Sequence, residues 1–238
     1  MGKILYVVVI YGIRIEDCVS YQSLKPCLSE EECEKDIYVH DNTHNNVFLA
    51  AAYNEGLKYA LVHGYEWMTL LDEDTMITQG YVDSIRQAIL QPQVSVLVPR
   101  LVDARGKMLS PKKLYGVQTA FNSGLTIRCD VIEKMGGFNI DYPLDYLDHW
   151  LCRRLHEMEI PIEVLPVRMH HNLSVASKHY VDDARYQSIL SAERRFANEF
   201  GLKRRYKRHL AGRLVKWIIT GHPFVKETFE ALVRVCNE

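Results

Sequence analysis

The 6 cysteines include no C-x-x-C pair, and none lies at zinc-finger spacing from a histidine, so no structural zinc site is indicated. Cys18, Cys27, Cys33, Cys129, Cys152 and Cys236 read as free thiols, which fits a reducing, cytoplasmic setting. No apolar run approaches the roughly 20 residues of a membrane span. The apolar start, Met1 to Ile10, is too short to cross a bilayer and lacks a small-residue cleavage site, so it reads as a buried first strand. A dominant charge is missing too: 29 Lys and Arg against 30 Asp and Glu leave a formal net charge of -1. That balance argues against a nucleic-acid partner. There are no repeats and no low-complexity linker.

What is there is 238 residues with 47% hydrophobic content, enough for one substantial core and a small helical appendage. The charge is unevenly placed: from Gly201 to Trp217, Lys203, Arg204, Arg205, Lys207, Arg208, Arg213 and Lys216 meet no acid.

Hydrophobic patterning predicts strands at Ile4 to Ile10, Ile37 to His40, Trp67 to Leu71 and Val94 to Val98. Between them fall a helix capped by Asp17 and running to about Leu24, and an acidic surface connection from Ser29 to Asp36. A helix follows with Leu49, Ala52, Tyr53, Gly56 and Ala60 on one stripe, then another from Tyr81 to Leu90. Further on, Phe121 to Arg128 reads as a strand. A helix begins near Asp145 with Leu147, Leu151, Leu155 and Met158 buried, and Ile162 to Val167 leads into His170-His171. Everything beyond Ser174 reads as helical. Strands alternating with helices imply right-handed crossovers and an open, mostly parallel sheet, with ligands at the carboxyl ends of its strands. Tyr11, Asp41 and Asp72 to Asp74 then share one rim.

The most informative stretch is Leu70-Leu71-Asp72-Glu73-Asp74-Thr75, where a strand stops in three acids. Asp72 and Asp74, spaced i, i+2 on extended backbone, converge while Glu73 faces away. Converging carboxylates call for a hard divalent cation, Mg2+ or Mn2+, and such a cation commonly holds a diphosphate as well. Asp41 either accepts from the ring N3-H of uracil or thymine or simply closes a turn. Asp145 and Asp148, three apart at a helix start, share a face and serve either the helix dipole or general base catalysis. His170 and His171 point opposite ways on an extended segment, so only one meets a metal. In the basic block, Leu202, Tyr206, Leu210, Leu214, Trp217 and Ile218 form one helical stripe, lying either on anionic lipid or against protein.

Four segments together resemble glycosyltransferase family 2, the inverting enzymes of the glycosyltransferase A fold, and within it the rhamnosyltransferase-like members. They are Val39-His40-Asp41-Asn42, Ala52-Tyr53-Asn54-Glu55-Gly56, Leu70 to Thr75, and Gly136-Gly137-Phe138 followed by Asp145-Tyr146-Leu147-Asp148. The similarity spans roughly residues 4 to 175. It implies a Rossmann-like, mostly parallel catalytic domain over 1–175 and a helical C-terminal extension over 176–238 packed on it. By the same resemblance, Asp41 reads the base, Asp72 lies near the ribose and diphosphate, and Asp74 is the metal ligand. Asp148 is similar to the catalytic base, with Asp145 its neighbour or an acceptor-binding acid. His171, in His171-Asn172-Leu173-Ser174, looks like the late metal or diphosphate histidine, and Ser123-Gly124 like the small pair lining the sugar pocket. Tyr11, Asn54 and Glu73 fall among the donor-side positions.

The implied reaction moves a sugar from a nucleotide-diphosphate donor, dTDP-L-rhamnose or a UDP-sugar, to a saccharide or lipid-linked oligosaccharide in cell-surface polysaccharide synthesis. Its setting would be cytoplasmic, peripheral on the inner face of the membrane through 201–218. Two departures stand out: Tyr11-Gly12 where many relatives have Tyr-Asn, and His149-Trp150 after Asp148. Rival readings are a sugar-phosphate nucleotidyltransferase, which calls for a Gly-rich basic loop absent after the first strand, and a non-catalytic nucleotide- or glycan-binding relative.

Overall fold

The structure is a computed structural model that describes residues 2–171 and 182–237. The chain divides into two compact units, Met1–Asn172 and Leu173–Glu238. Asn172, Leu173 and Ser174 of the last motif lie outside the described residues.

Unit 1 is built on a seven-stranded sheet. In chain order the strands are β1 (Ile4–Ile10), β2 (Ile37–Asp41), β3 (Trp67–Leu71), β4 (Val96–Val102), β5 (Met108–Ser110), β6 (Lys112–Leu114), β7 (Val117–Thr119), β8 (Leu125–Arg128) and β9 (Glu163–His170). The sheet order is β2-β1-β3-β8-β4-β5, with β9 beside β4, while β6 and β7 form a separate ribbon. β1, β2, β3, β4 and β9 run one way, and β8 and β5 run the other. Every residue of β1 and β3 is buried, as continuous apolar runs covered on both faces must be. The covering helices are α1 (Val19–Leu24), α2 (Glu30–Lys35), α3 (Phe48–Val62), α4 (Gln79–Ala88), α5 (Cys129–Lys134) and α6 (Leu147–Glu157).

Several local readings change. The acidic segment 29–36 is a helix, because Ser29 and Glu32 form a reciprocal capping box that satisfies two N-terminal donors. Cys18, not Asp17, caps α1. Only Leu125 to Arg128 of the 121–128 segment is strand, and it enters antiparallel between β3 and β4. α6 starts at Leu147, after Tyr146 adopts a left-handed φ of 66°. Asp145 therefore precedes the helix and shares no helical face with Asp148.

Unit 2 is helical throughout its described residues: α7 (Asp183–Glu199), α8 (Lys203–Thr220) and α9 (Val225–Asn237). Tyr186, Leu190, Phe196, Tyr206, Leu210, Phe224 and Val235 are buried. Tyr186 stacks on Phe224 with ring centroids 4.4 Å apart. The stripe Leu202, Tyr206, Leu210, Leu214, Trp217 is largely spent inside this unit, since the first three are buried, Leu214 is half-buried and the Trp217 ring packs 5.4 Å from Tyr186. Ile218 is the exception and stays 60% exposed.

Candidate active site

Parallel register brings the ends of β1, β2 and β3 to one rim, with Ile10 beside Asp41 and Val8 beside Leu71. The loop after β1 ties that rim together. The Tyr11 N-H donates to Glu73 Oε2 at 3.0 Å, and the Gly12 N-H donates to Thr43 Oγ1 at 3.1 Å. Asp41 Oδ1 in turn accepts from the Thr43 N-H at 2.8 Å. The Asp41 carboxylate thus closes an Asx turn, and that bond with Thr43 lowers its pKa. Asp41 and the Tyr11 side chain are both exposed.

The acids converge where β3 ends. One ligand atom each from Asp72, Asp74 and His171 lie within 4.8 Å of one another. His171 reaches them because β9 pairs in parallel with β4 up to His170, and His171 then bridges to Thr75. Its N-H donates to the Val102 carbonyl at 3.1 Å, and the His170 carbonyl accepts from the Met76 N-H at 3.3 Å. Of the two histidines, His171 is the buried one and His170 is exposed.

A buried set of hydroxyls holds this loop in shape. The Ser20 hydroxyl donates to the carbonyls of Asp72 and, at 2.9 Å, Thr75. Ser123 Oγ accepts from the Asp72 N-H at 3.3 Å and lies 2.5 Å from Thr75 Oγ1, which itself lies 2.7 Å from His171 Nδ1. His171 Nδ1 thus faces Thr75 Oγ1 and, at 3.4 Å, Asp74 Oδ1. The Tyr53 hydroxyl donates to Asp72 Oδ1 at 3.2 Å. Tyr53 is fully buried on α3, so its ring fixes where that bond can be made.

Electrostatics follow from this crowding. Burial, then the nearby Asp74, raise the Asp72 pKa to about 7, against relief from the Tyr53 bond. Burial also raises Asp74, opposed by His171, and burial lowers His171 itself, which favours a neutral imidazole. Asp148, in the first turn of α6, is near enough for its charge to raise both Asp72 and the Tyr53 hydroxyl. Among the described residues no lysine or arginine pairs with Asp72 or Asp74.

A divalent cation fits this donor set. Asp74 Oδ1 is buried and makes no hydrogen bond, its nearest basic atom being His171 Nδ1 at 3.4 Å. A buried carboxylate oxygen left in that state costs on the order of 1–3 kcal/mol or more, which coordination would recover. Two carboxylates and an imidazole suit Mn2+ or Mg2+.

Other expected contacts have different tasks. Asn54 clamps the loop before α6: its Oδ1 accepts from the Phe138 N-H and its Nδ2 donates to the Phe138 carbonyl, both at 2.8 Å. Gly137 is required there, since its φ is +93° and a Cβ would sit 2.7 Å from Asn54 Oδ1. The bonds Asn54 makes are thus structural ones that hold Phe138. Ser123 is wholly buried under the acidic loop. Gly124 has a φ of +79°, and a Cβ there would meet Pro99 at 2.8 Å. Ser123 supports the acidic loop through Asp72 and Thr75. Sequence reading missed Ser20, Tyr53 and Thr75 as site supports, although Tyr53 and Thr75 stand inside two of the quoted motifs.

No family model and no curated relative matches the sequence. Among solved structures, the chain is similar to a crystal structure of GalNAc-T7 with UDP, GalNAc and Mn2+. That likeness has a TM-score of 0.52 at 12% identity and covers 71% of this chain and 44% of that one. It is also similar to S. aureus TarS, with a TM-score of 0.52 at 15% identity over 82% of this chain and 40% of that one. The chain therefore spans less than half the length of either structure. These likenesses define the fold: an α/β sheet flanked by helices, of glycosyltransferase A type.

Proposed function

We propose that this chain is a metal-dependent glycosyltransferase, carrying a sugar from a nucleoside-diphosphate donor to a saccharide hydroxyl with inversion. The observation that carries the reading is the convergence of Asp72, Asp74 and His171 at the carboxyl rim of a glycosyltransferase A sheet, with Asp74 Oδ1 buried and unbonded. The Mn2+ and UDP in the GalNAc-T7 structure are consistent with it. Asp72, Asp74 and His171 would hold the cation. When bound, it supplies positive charge that stabilises a departing diphosphate.

The chain's own residues divide the remaining work. Asp148 takes the proton from the acceptor hydroxyl as that oxygen forms its bond to the anomeric carbon and the bond to the diphosphate breaks. Tyr53 and Ser123 fix Asp72, Thr75 orients His171, and Asn54 holds the loop that delivers Asp148. Asp41, Tyr11 and Glu73 make up the nucleotide side. The pattern resemblance favours a family 2, rhamnosyltransferase-like enzyme using dTDP-L-rhamnose or a UDP-sugar. A saccharide or lipid-linked oligosaccharide acceptor on the cytoplasmic side would place it in cell-surface polysaccharide synthesis.

The test is a panel of dTDP- and UDP-sugars assayed for donor hydrolysis with Mn2+, with Mg2+ and with chelator. Metal-dependent release of nucleoside diphosphate from one donor is expected. Indifference to every donor and to both bare nucleotides would leave a non-catalytic binding protein as the better reading.

A further inference from the structure

We propose that the outward face of α8 seats unit 2 on an anionic phospholipid bilayer. At 3.6 residues per turn, Tyr206, Leu210, Arg213 and Trp217 share the side of α8 that packs within the unit. The opposite side carries Arg204, Arg208, Val215 and Ile219 in line, flanked by Ile218 and Lys216. Its apolar members are left in water: Val215 is 58% exposed, Ile218 60% and Ile219 79%. On α9, Phe229 and Val233, one turn apart, are also exposed, and Lys226 stands one turn before Phe229.

Two features select the occupant. The outward face joins exposed branched aliphatics to exposed cations. The sequence from Gly201 to Lys226 contains no acid at all, so nothing on this stretch repels a negative surface. A second copy docking α8 on α8 would instead bring like charge against like. A bilayer of anionic lipid accepts both chemistries at once, apolar side chains below the headgroups and guanidinium groups among the phosphates. No helix among the described residues is long and apolar enough to cross a membrane, so the contact is a surface one. This inference does not rest on the transfer reading, because none of these residues belongs to the candidate active site.

The experiment is flotation of the full chain with vesicles of phosphatidylglycerol and phosphatidylcholine, and with phosphatidylcholine alone, at low and high salt. Binding to the anionic vesicles only, falling as salt rises, is expected. Arg204→Gln with Arg208→Gln should weaken it about fivefold per charge removed. Ile218→Ser with Ile219→Ser should weaken it by about tenfold or more. All four positions are exposed, so helicity by circular dichroism and the melting temperature should stay unchanged, which separates lost contact from lost fold. Absence of binding at low salt, or binding that both variants retain, overturns the proposal. So does a wild-type dimer in light scattering that Ile218→Ser with Ile219→Ser dissociates, because the face would then belong to a second copy. Mn2+ and nucleotide binding, measured on the same samples, reports on the candidate active site independently.

Discussion

Each unit buries acid, and the two do so in opposite ways. In unit 2, Glu193 on α7 is 4% exposed and meets Arg213 of α8 at 2.5 and 3.1 Å, with the Tyr186 hydroxyl 3.3 Å from the same guanidinium. Burial pulls the Arg213 pKa down, but Glu193 more than offsets it and holds the guanidinium charged. In unit 1, Asp72 and Asp74 crowd together with the Tyr53 hydroxyl and a neutral-leaning imidazole but no Lys or Arg among the described residues, and one carboxylate oxygen is left unbonded. A buried acid matched by its own chain is a fold device. A partly buried pair of acids with no basic side chain among the described residues except an imidazole could hold a cation from outside the chain.

Substitutions should separate the two sharply. The largest effect is expected at Asp148, where Asn should cut turnover about 100- to 10,000-fold while nucleotide affinity by calorimetry stays close to wild type. A wild-type rate on the true acceptor would move the base elsewhere. Next, Glu193→Ala strands a buried guanidinium and should cost about 3–5 kcal/mol, read by denaturant unfolding, without weakening Mn2+ binding. Smaller again, Thr75→Val removes the partner of His171 Nδ1 and should weaken Mn2+ about 10- to 100-fold.

A slope with pH separates the units as well. Asp72 holds its proton in the folded state up to about pH 7, against an ordinary value of 3.8. Through that window the folded state binds more protons than the unfolded one, so metal-free stability should fall as pH rises. Melting in the presence of chelator checks this. Asp72→Asn should flatten the slope and raise the melting temperature above pH 7, the reverse of what Glu193→Ala does to unit 2.

The frame of unit 1 was legible wherever burial on both faces leaves a continuous apolar run, as in Ile4–Ile10 and Trp67–Leu71. β5, β6 and β7 have three residues each, too few to show a period, and α5 is similarly brief. The reversal of β8 is set by its neighbours and leaves no mark on Leu125–Arg128 itself. α2 was readable through Ser29 and Glu32, but its acids masked it. At the site, Asp72 and Asp74 could be named from a strand end, whereas His171 was told from His170 only through the family resemblance. The shell around them could not. Ser20, Tyr53, Thr75 and Ser123 act through contacts across 19 to 96 residues of sequence, and single hydroxyls carry no pattern that announces such partners. The Asn54 clamp on Phe138 is of the same kind.

Titrating Mn2+ into the metal-free protein by calorimetry, beside Asp74→Ala, measures the matter most directly. One site per chain in the wild type, lost in the variant while its fold persists by circular dichroism, is the outcome expected. Equal heats from both proteins, or no heat from either, would contradict the assignment of these acids to a cation.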